Sequence, residues 1–227
     1  MESHAKVVIV GGGILGVSLL YHLTKEGWKD LVLIEKGELT SGSTWHAAGQ
    51  CPQMMGSYNL AKIHLESTNL YKKLEKETGQ STGFHACGSL RIAYKQEDLD
   101  WFKYVKGILD NVGAPAEIIS TNEIKKAHPF IKLDGILGAF YTPEDGHTDP
   151  TSTTNAMAKG ARNYGAQIYR KNRVTDIKHL SSGEWKLITE KGDIVCEHVV
   201  NAAGSYGPEV GAMVGLKNIP SINMIHH

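Results

Sequence analysis

Gly11, Gly13 and Gly16 stand in G-x-G-x-x-G order. A carboxylate follows at Glu35, and an imidazole, His46, lies in the small-residue run Thr40-Ser41-Gly42-Ser43-Thr44-Trp45-His46-Ala47-Ala48-Gly49. The glycines suit a phosphate cradle: the first permits a tight turn, the second lets the backbone approach a pyrophosphate, and the third lets a helix pack closely on a strand. Glu35 comes roughly 20 residues later, the spacing at which a carboxylate accepts hydrogen bonds from ribose hydroxyls. The neutral imidazole just beyond it is a competent nucleophile beside whatever dinucleotide the glycines hold. A lone glycine pattern is weak evidence. Its weight here comes from strand, turn, helix, strand and acid falling in the right order.

Those residues need elements to position them. Residues 6–10, K-V-V-I-V, form a β-branched run suited to a central parallel strand that enters the glycine turn directly. A helix is expected over 17–26, its N-terminal amides offered to an anion and Gly27 ending it. Residues 31–34 then form a second buried strand that stops at Glu35. Farther on, Leu60, Ile63, Ser67, Leu70, Tyr71 and Leu74 predict one face of a helix ending at Gly79. A strand over 88–93 follows, then a helix with Leu99, Phe102, Val105, Leu109 and Val112 inward, closed by Gly113. Ser120 and Glu123 have capping-box spacing for a short helix, residues 136–141 form a strand, and Glu144-Asp145-Gly146 reads as a turn. Asp149 as N-cap and Pro150 at the first helical position open a helix through Tyr164. An antiparallel meander over about 173–198 then precedes a last Rossmann-type strand at 199–204, which returns beside the nucleotide site.

The fold class expected is therefore α/β: a Rossmann-like nucleotide-binding region at 1–85 and 145–215, interleaved with a partial α+β substrate region at 86–144 and 216–227. Lys plus Arg and Asp plus Glu number 24 each, so no basic excess argues for nucleic acid or an anionic membrane. No apolar run reaches membrane-spanning length, and residues 1–5 are too short and polar for a signal or transit peptide. A cytoplasmic location follows if Met1 is the true start, a mitochondrial matrix location if a transit peptide is missing. Cys51, Cys87 and Cys196 are widely spaced, without C-x-x-C. They read as reduced structural thiols, with no zinc or other metal site.

The segments L-T-S-G-S-T-W-H-A-A-G at 39–49, E-T-G at 77–79, G-S-L-R-I-A at 88–93, D-G-H-T-D-P at 145–150 and V-N-A-A-G at 200–204 give the chain a specific resemblance. With the opening glycines, they resemble the N-terminal flavin module of the dimethylglycine dehydrogenase and sarcosine dehydrogenase family, within the D-amino-acid-oxidase-like flavoproteins. Trp45-His46 is the most discriminating pair. The resemblance implies FAD as cofactor, covalently attached through His46. By position it further implies Ile14 and Leu15 over the pyrophosphate and Glu35 and Lys36 at the adenosine ribose. Gly42, Ser43, Thr44, Trp45, Ala47, Ala48, Gly49 and Gln50 would run along the ribityl and isoalloxazine edge, with Val174 touching adenine. Tyr206 stands where the family usually has tryptophan. No catalytic residue is assigned, though His147 and Arg91 are weak candidates for the substrate pocket, Arg91 because a guanidinium grips a carboxylate bidentately. Asp149 is explained by its capping position.

The activity implied is oxidative demethylation of a small N-methyl amine such as dimethylglycine, with electrons passed to an electron-transfer flavoprotein-like acceptor. The segments at 83–89 and 145–150 resemble the dimethylglycine branch more than the sarcosine branch, which remains the alternative. A phosphatase-regulating relative without flavin catalysis lacks Trp-His at the decisive point, so His46 discriminates against that reading. A non-catalytic FAD-binding fragment is the other alternative. Relatives continue past the counterpart of His227 into the rest of the substrate sheet and a tetrahydrofolate-binding C-terminal half. The 227-residue chain is therefore expected not to turn over alone.

Overall fold

The computed structural model describes residues 1–220; residues 221–227 lie outside the described residues. In chain order the strands are β1 (His4–Val10), β2 (Leu31–Ile34), β3 (Gln50–Cys51), β4 (Ser89–Ala93), β5 (Glu117–Ile119), β6 (Gly138–Thr142), β7 (Gly146–His147), β8 (Gln167–Tyr169), β9 (Val174–His179), β10 (Trp185–Thr189) and β11 (Ile194–Asn201). The α-helices are α1 (Ile14–Lys25), α2 (Tyr58–Thr78), α3 (Gln96–Val112), α4 (Thr121–Ala127), α5 (Pro150–Asn163) and α6 (Gly207–Met213). The chain divides into two compact units, one of Met1–Ala48, Leu74–Thr82 and Pro150 onward, the other of Gly49–Lys73 and Gly83–Asp149.

The first unit is built on a six-stranded sheet in the order β8-β2-β1-β11-β10-β9. β1 runs parallel to both β2 and β11, while β9, β10 and β11 are antiparallel neighbours. β1 and β2 are buried on both faces, as parallel strands flanked by helices must be. Val8, Val10, Val32 and Ile34 pack with Val174, Ile177, Leu187 and Val210 on one side, and Val7, Ile9, Leu31 and Leu33 are equally buried on the other. Each such side chain contributes about 1.5–3 kcal/mol by leaving water. The meander is not a separate insertion before the last Rossmann strand, because β11 serves as both: it closes the meander against β10 and pairs with β1.

The second unit holds the antiparallel sheet β4-β6-β5 and the two-stranded ribbon β3-β7. α3 buries Phe102, Val105 and Leu109 and ends at Gly113, whose φ of 85° supplies the left-handed cap. Ser120 and Glu123 form the expected capping box on α4.

Packing corrects the expected face of α2, and the two compact units have other bounds than the regions expected from sequence. The buried face of α2 is not the Leu60/Ile63 stripe: both are at least half exposed, while Ala61, Thr68, Leu74 and Thr78 are buried. The threonines can bury because their hydroxyls donate to the carbonyls of His64 and Leu74, four residues back. Residues 49–73, expected in the nucleotide region, belong to the second unit, where Ala61 and Leu65 join the core around Phe102 and Phe140. In the other direction, Pro150 begins the first unit's return, and residues 145–149 fall in the second. Of the 216–227 segment expected in the substrate region, 216–220 group with the first unit.

Candidate functional site

β1 leads into Gly11, whose φ of 118° places it in a conformation that favours glycine. A Cβ at Gly11 would strike the Ala202 carbonyl, and one at Gly16 would strike the carbonyl of Gly11. Helix, turn and β11 exit are thus packed backbone to backbone. α1 starts after Gly13 without a side-chain cap from that residue; instead the Ile14 amide donates to Thr44 Oγ1 at 3.0 Å. The loop carrying Thr44 is tied in a second time, since Thr40, with φ of 68°, donates its amide to the Gly12 carbonyl at 3.0 Å.

Glu35 projects from the end of β2 over this turn. Its Oε2 accepts the Gly12 amide at 2.6 Å and its Oε1 the Gly37 amide at 2.7 Å. A carboxylate has about four acceptor positions, so each oxygen keeps one for a further donor. Lys36 lies with its Nζ 3.0 Å from the centre of the Tyr206 ring, a cation held on an aromatic face.

These residues line one cavity of about 290 Å³ in the first unit. Of the expected cofactor residues, Gly11, Gly13, Ile14, Leu15, Glu35, Lys36, Gly42, Ser43, Thr44, Val174 and Tyr206 line it. Gly16 lies beneath, serving helix packing. Trp45, His46, Ala47 and Ala48 are exposed and outside the cavity lining. Trp45 and His46 end the same 3-10 turn that Thr44 begins, their rings 3.7 Å apart between centres and inclined by 34°. Gly49 and Gln50 belong to the second unit. Arg173 and Glu209, 3.9 Å apart, also line the cavity and were not singled out from sequence. The position of Arg173 beside Val174 is the one signal that could have found it.

The turn expected at 144–146 falls slightly earlier. The turn is at residues 143–144, and His147 is a strand residue of β7, opposite Gln50 and bridged to His85. Its Nδ1 lies 3.8 Å from Cys87 Sγ. Arg91 is exposed on β4 opposite Phe140. The two candidates thus lie on different sheets of the second unit. Asp149 stands directly before Pro150 at the start of α5. Sequence reasoning missed Asp145, read as part of a turn. It is 2% exposed, accepts the Gln53 amide at 2.8 Å and the Ser89 hydroxyl at 2.6 Å, and its charge helps burial push the Cys51 thiol up.

A dinucleotide fits the first-unit cavity by its donor set. It combines a helix N-terminus, a glycine turn without side chains, and a carboxylate with free acceptor positions. The profile of FAD dependent oxidoreductases matches residues 6–225. The chain belongs to that family.

Among curated members, the FAD dependent oxidoreductase chain is 45% identical to dimethylglycine dehydrogenase of Rattus norvegicus over 225 residues, covering 99% of this chain and 26% of the relative. It is 38% identical to the pyruvate dehydrogenase phosphatase regulatory subunit of Mus musculus, covering 93% and 24% respectively. With sarcosine dehydrogenase of Homo sapiens the identity is 35%, covering 100% and 25%. The chain thus spans about a quarter of the length of each of these three relatives. The solved L-proline dehydrogenase of P. horikoshii superposes with a TM-score of 0.86 at 30% identity, covering 96% of this chain and 57% of that one. The α/β, Rossmann-like fold expected from sequence is the one the chain shares with that solved structure. Among the described residues, no helix is long and apolar enough to cross a membrane.

Proposed function

We propose that this chain is the FAD-holding part of a dehydrogenase that demethylates a small N-methyl amine, dimethylglycine in preference to sarcosine, with the cofactor tethered through His46. The observation that carries the reading is the cavity in which Glu35, the glycine turn before α1 and Thr44 converge, with His46 two residues along Thr44's own 3-10 turn. Bound there, FAD would supply a two-electron acceptor for a carbon–hydrogen bond beside the amine nitrogen. Glu35 would accept the ribose hydroxyls, the first turn of α1 would face the pyrophosphate, and Val174 and Tyr206 would flank the adenosine end. Electrons would leave to an electron-transfer flavoprotein-like acceptor. Tetrahydrofolate would meet the product only through a further domain. The relatives named mitochondrial support a matrix location.

The regulatory-subunit reading draws on 38% identity, slightly above that to sarcosine dehydrogenase, and His46 argues against it. One experiment separates the readings: acid precipitation of the FAD-loaded protein. Yellow colour should stay with the polypeptide, and His46→Ala should release it to the supernatant. Colour lost from the unmutated protein would reject covalent attachment and leave non-covalent FAD standing. An inability to take up FAD would favour the regulatory reading.

A further inference from the structure

The three cysteines, alike in sequence as structural thiols, differ once the chain is folded. Cys196 is buried in β11, and burial pushes its thiol up to about 11. Cys51 is half-buried on β3, where burial, then the charge of Asp145, pushes its thiol up as well. Both are held in the protonated form, which is a poor nucleophile. Cys87 is exposed, and its Sγ lies 3.8 Å from His147 Nδ1.

A nucleophile beside a base has chemical meaning when other groups hold the two in place. Here the backbone does so on both sides of the thiol. His85 and His147 exchange amide-to-carbonyl bonds in both directions, at 2.9 and 3.1 Å, and the Cys87 amide donates to the His85 carbonyl at 3.1 Å. Just beyond, the Gly88 amide donates to the Asp145 carbonyl at 2.8 Å. A Cβ at Gly146 would strike the His85 carbonyl, so the two segments meet at a distance that only glycine permits. The His85 ring lies against that of His147, 5.3 Å between centres and inclined by 32°. All of these residues belong to the second unit, and the side chains of His85, Cys87 and His147 are exposed to approaching solutes. Among the described residues no three His, Cys, Asp or Glu side chains are grouped to hold a metal ion, which leaves the pair nucleophilic rather than ligating chemistry.

We propose that Cys87 and His147 form a nucleophilic dyad that exchanges with small disulfides, making Cys87 a site of reversible S-thiolation. This is independent of the cofactor reading. In the tautomer that carries its proton on Nε2, His147 takes the Sγ proton on Nδ1 as Cys87 attacks one sulfur of the incoming disulfide. A bond forms between the two sulfurs and the disulfide's own S–S bond breaks. Its other half leaves with the bonding pair and collects the proton from Nδ1. Cys87 ends oxidised in a mixed disulfide, half of the reagent ends reduced as a thiol, and excess thiol reverses the exchange.

Glutathione disulfide is the probe. The folded full chain is incubated with it and quenched in acid, and the mixed disulfide at each cysteine is followed by peptide mass spectrometry. General-base assistance should make Cys87 react about tenfold or more faster than Cys51 or Cys196. His147→Asn keeps a hydrogen-bonding side chain on the strand but takes up no proton, and should slow Cys87 by about tenfold. His85→Asn leaves the base in place and should change the rate by less than about twofold. Where His147→Asn does not fold, His147→Gln serves instead. In urea, wild type and variants should react alike at Cys87. The proposal is overturned if wild-type Cys87 is no faster than Cys51, if a folded His147 variant keeps the wild-type rate, or if His85→Asn slows Cys87 as much as loss of His147 does.

Discussion

Glu35 holds two backbone amides and keeps acceptor positions in reserve, so replacing it removes both a brace of the glycine turn and the group expected to meet the ribose. Hydrogen bonds to charged groups are worth about 1.5–3 kcal/mol, and Glu35→Ala should weaken FAD capture by apoprotein at least tenfold in a fluorescence titration. Unchanged affinity would count against the nucleotide assignment. Tyr21 tests packing in the same unit. Its buried side chain donates to Glu77 Oε1 at 2.8 Å, and Lys25 donates to the same oxygen at 2.9 Å. Burial, followed by the bond to Glu77, pushes the phenol up to about 12 from 10.0. A pKa raised on folding stabilises the fold fully below the unfolded value and ceases to do so as pH rises through the folded one. The contribution of Tyr21 should therefore hold below about pH 10 and fade by about pH 12. Tyr71 is raised by burial too, so tyrosinate absorbance should show a late-titrating fraction that Tyr21→Phe reduces; if Tyr21→Phe leaves the late fraction unchanged, the network is not formed in solution.

At the level of elements, glycines separate sharply by what surrounds them. Gly16→Ala drives a methyl into the Gly11 carbonyl and should destabilise the protein by about 1–3 kcal/mol. Gly107, exposed within α3 with open space around it, should gain about 0.5–1 kcal/mol on mutation to alanine. Urea denaturation of both variants decides the matter, and equal effects would show that the close approach of α1 to the turn is not realised. β1, α1 and β2 were legible because their signals are redundant: β-branched runs, spaced glycines and a terminal acid all agree. The face of α2 was not, because buried threonines that satisfy their own hydroxyls look polar in sequence. β3, β5 and β7, two or three residues each, are too short for periodicity to register. Asp145 was hidden for a related reason: Asp-Gly is a common turn pair, and only tertiary structure reveals that its carboxylate is enclosed.

For the whole molecule, many residues that line the first-unit cavity had been singled out in the sequence because they cluster in a few sequence-local signals. Arg173 and Glu209 were not, since they meet only when β9 and α6 fold together. Substrate choice also belongs to this scale. The 45% identity to dimethylglycine dehydrogenase against 35% to sarcosine dehydrogenase leads us to expect faster anaerobic flavin reduction by dimethylglycine than by sarcosine in stopped-flow mixing of the FAD-loaded protein. The opposite order would move the chain to the sarcosine branch. One feature of the central sheet bears on how the chain is made. β1 has β2 on one side, available early, but its other neighbour is β11, paired from His4↔Val195 to Val10↔Asn201 across about 190 residues of sequence. At ~5–20 residues per second a ribosome needs ~10–40 s to supply that partner. Throughout synthesis, therefore, one flank of this central strand, with Val7–Val10 destined for the core, stays open, and chaperones have that interval in which to guard it.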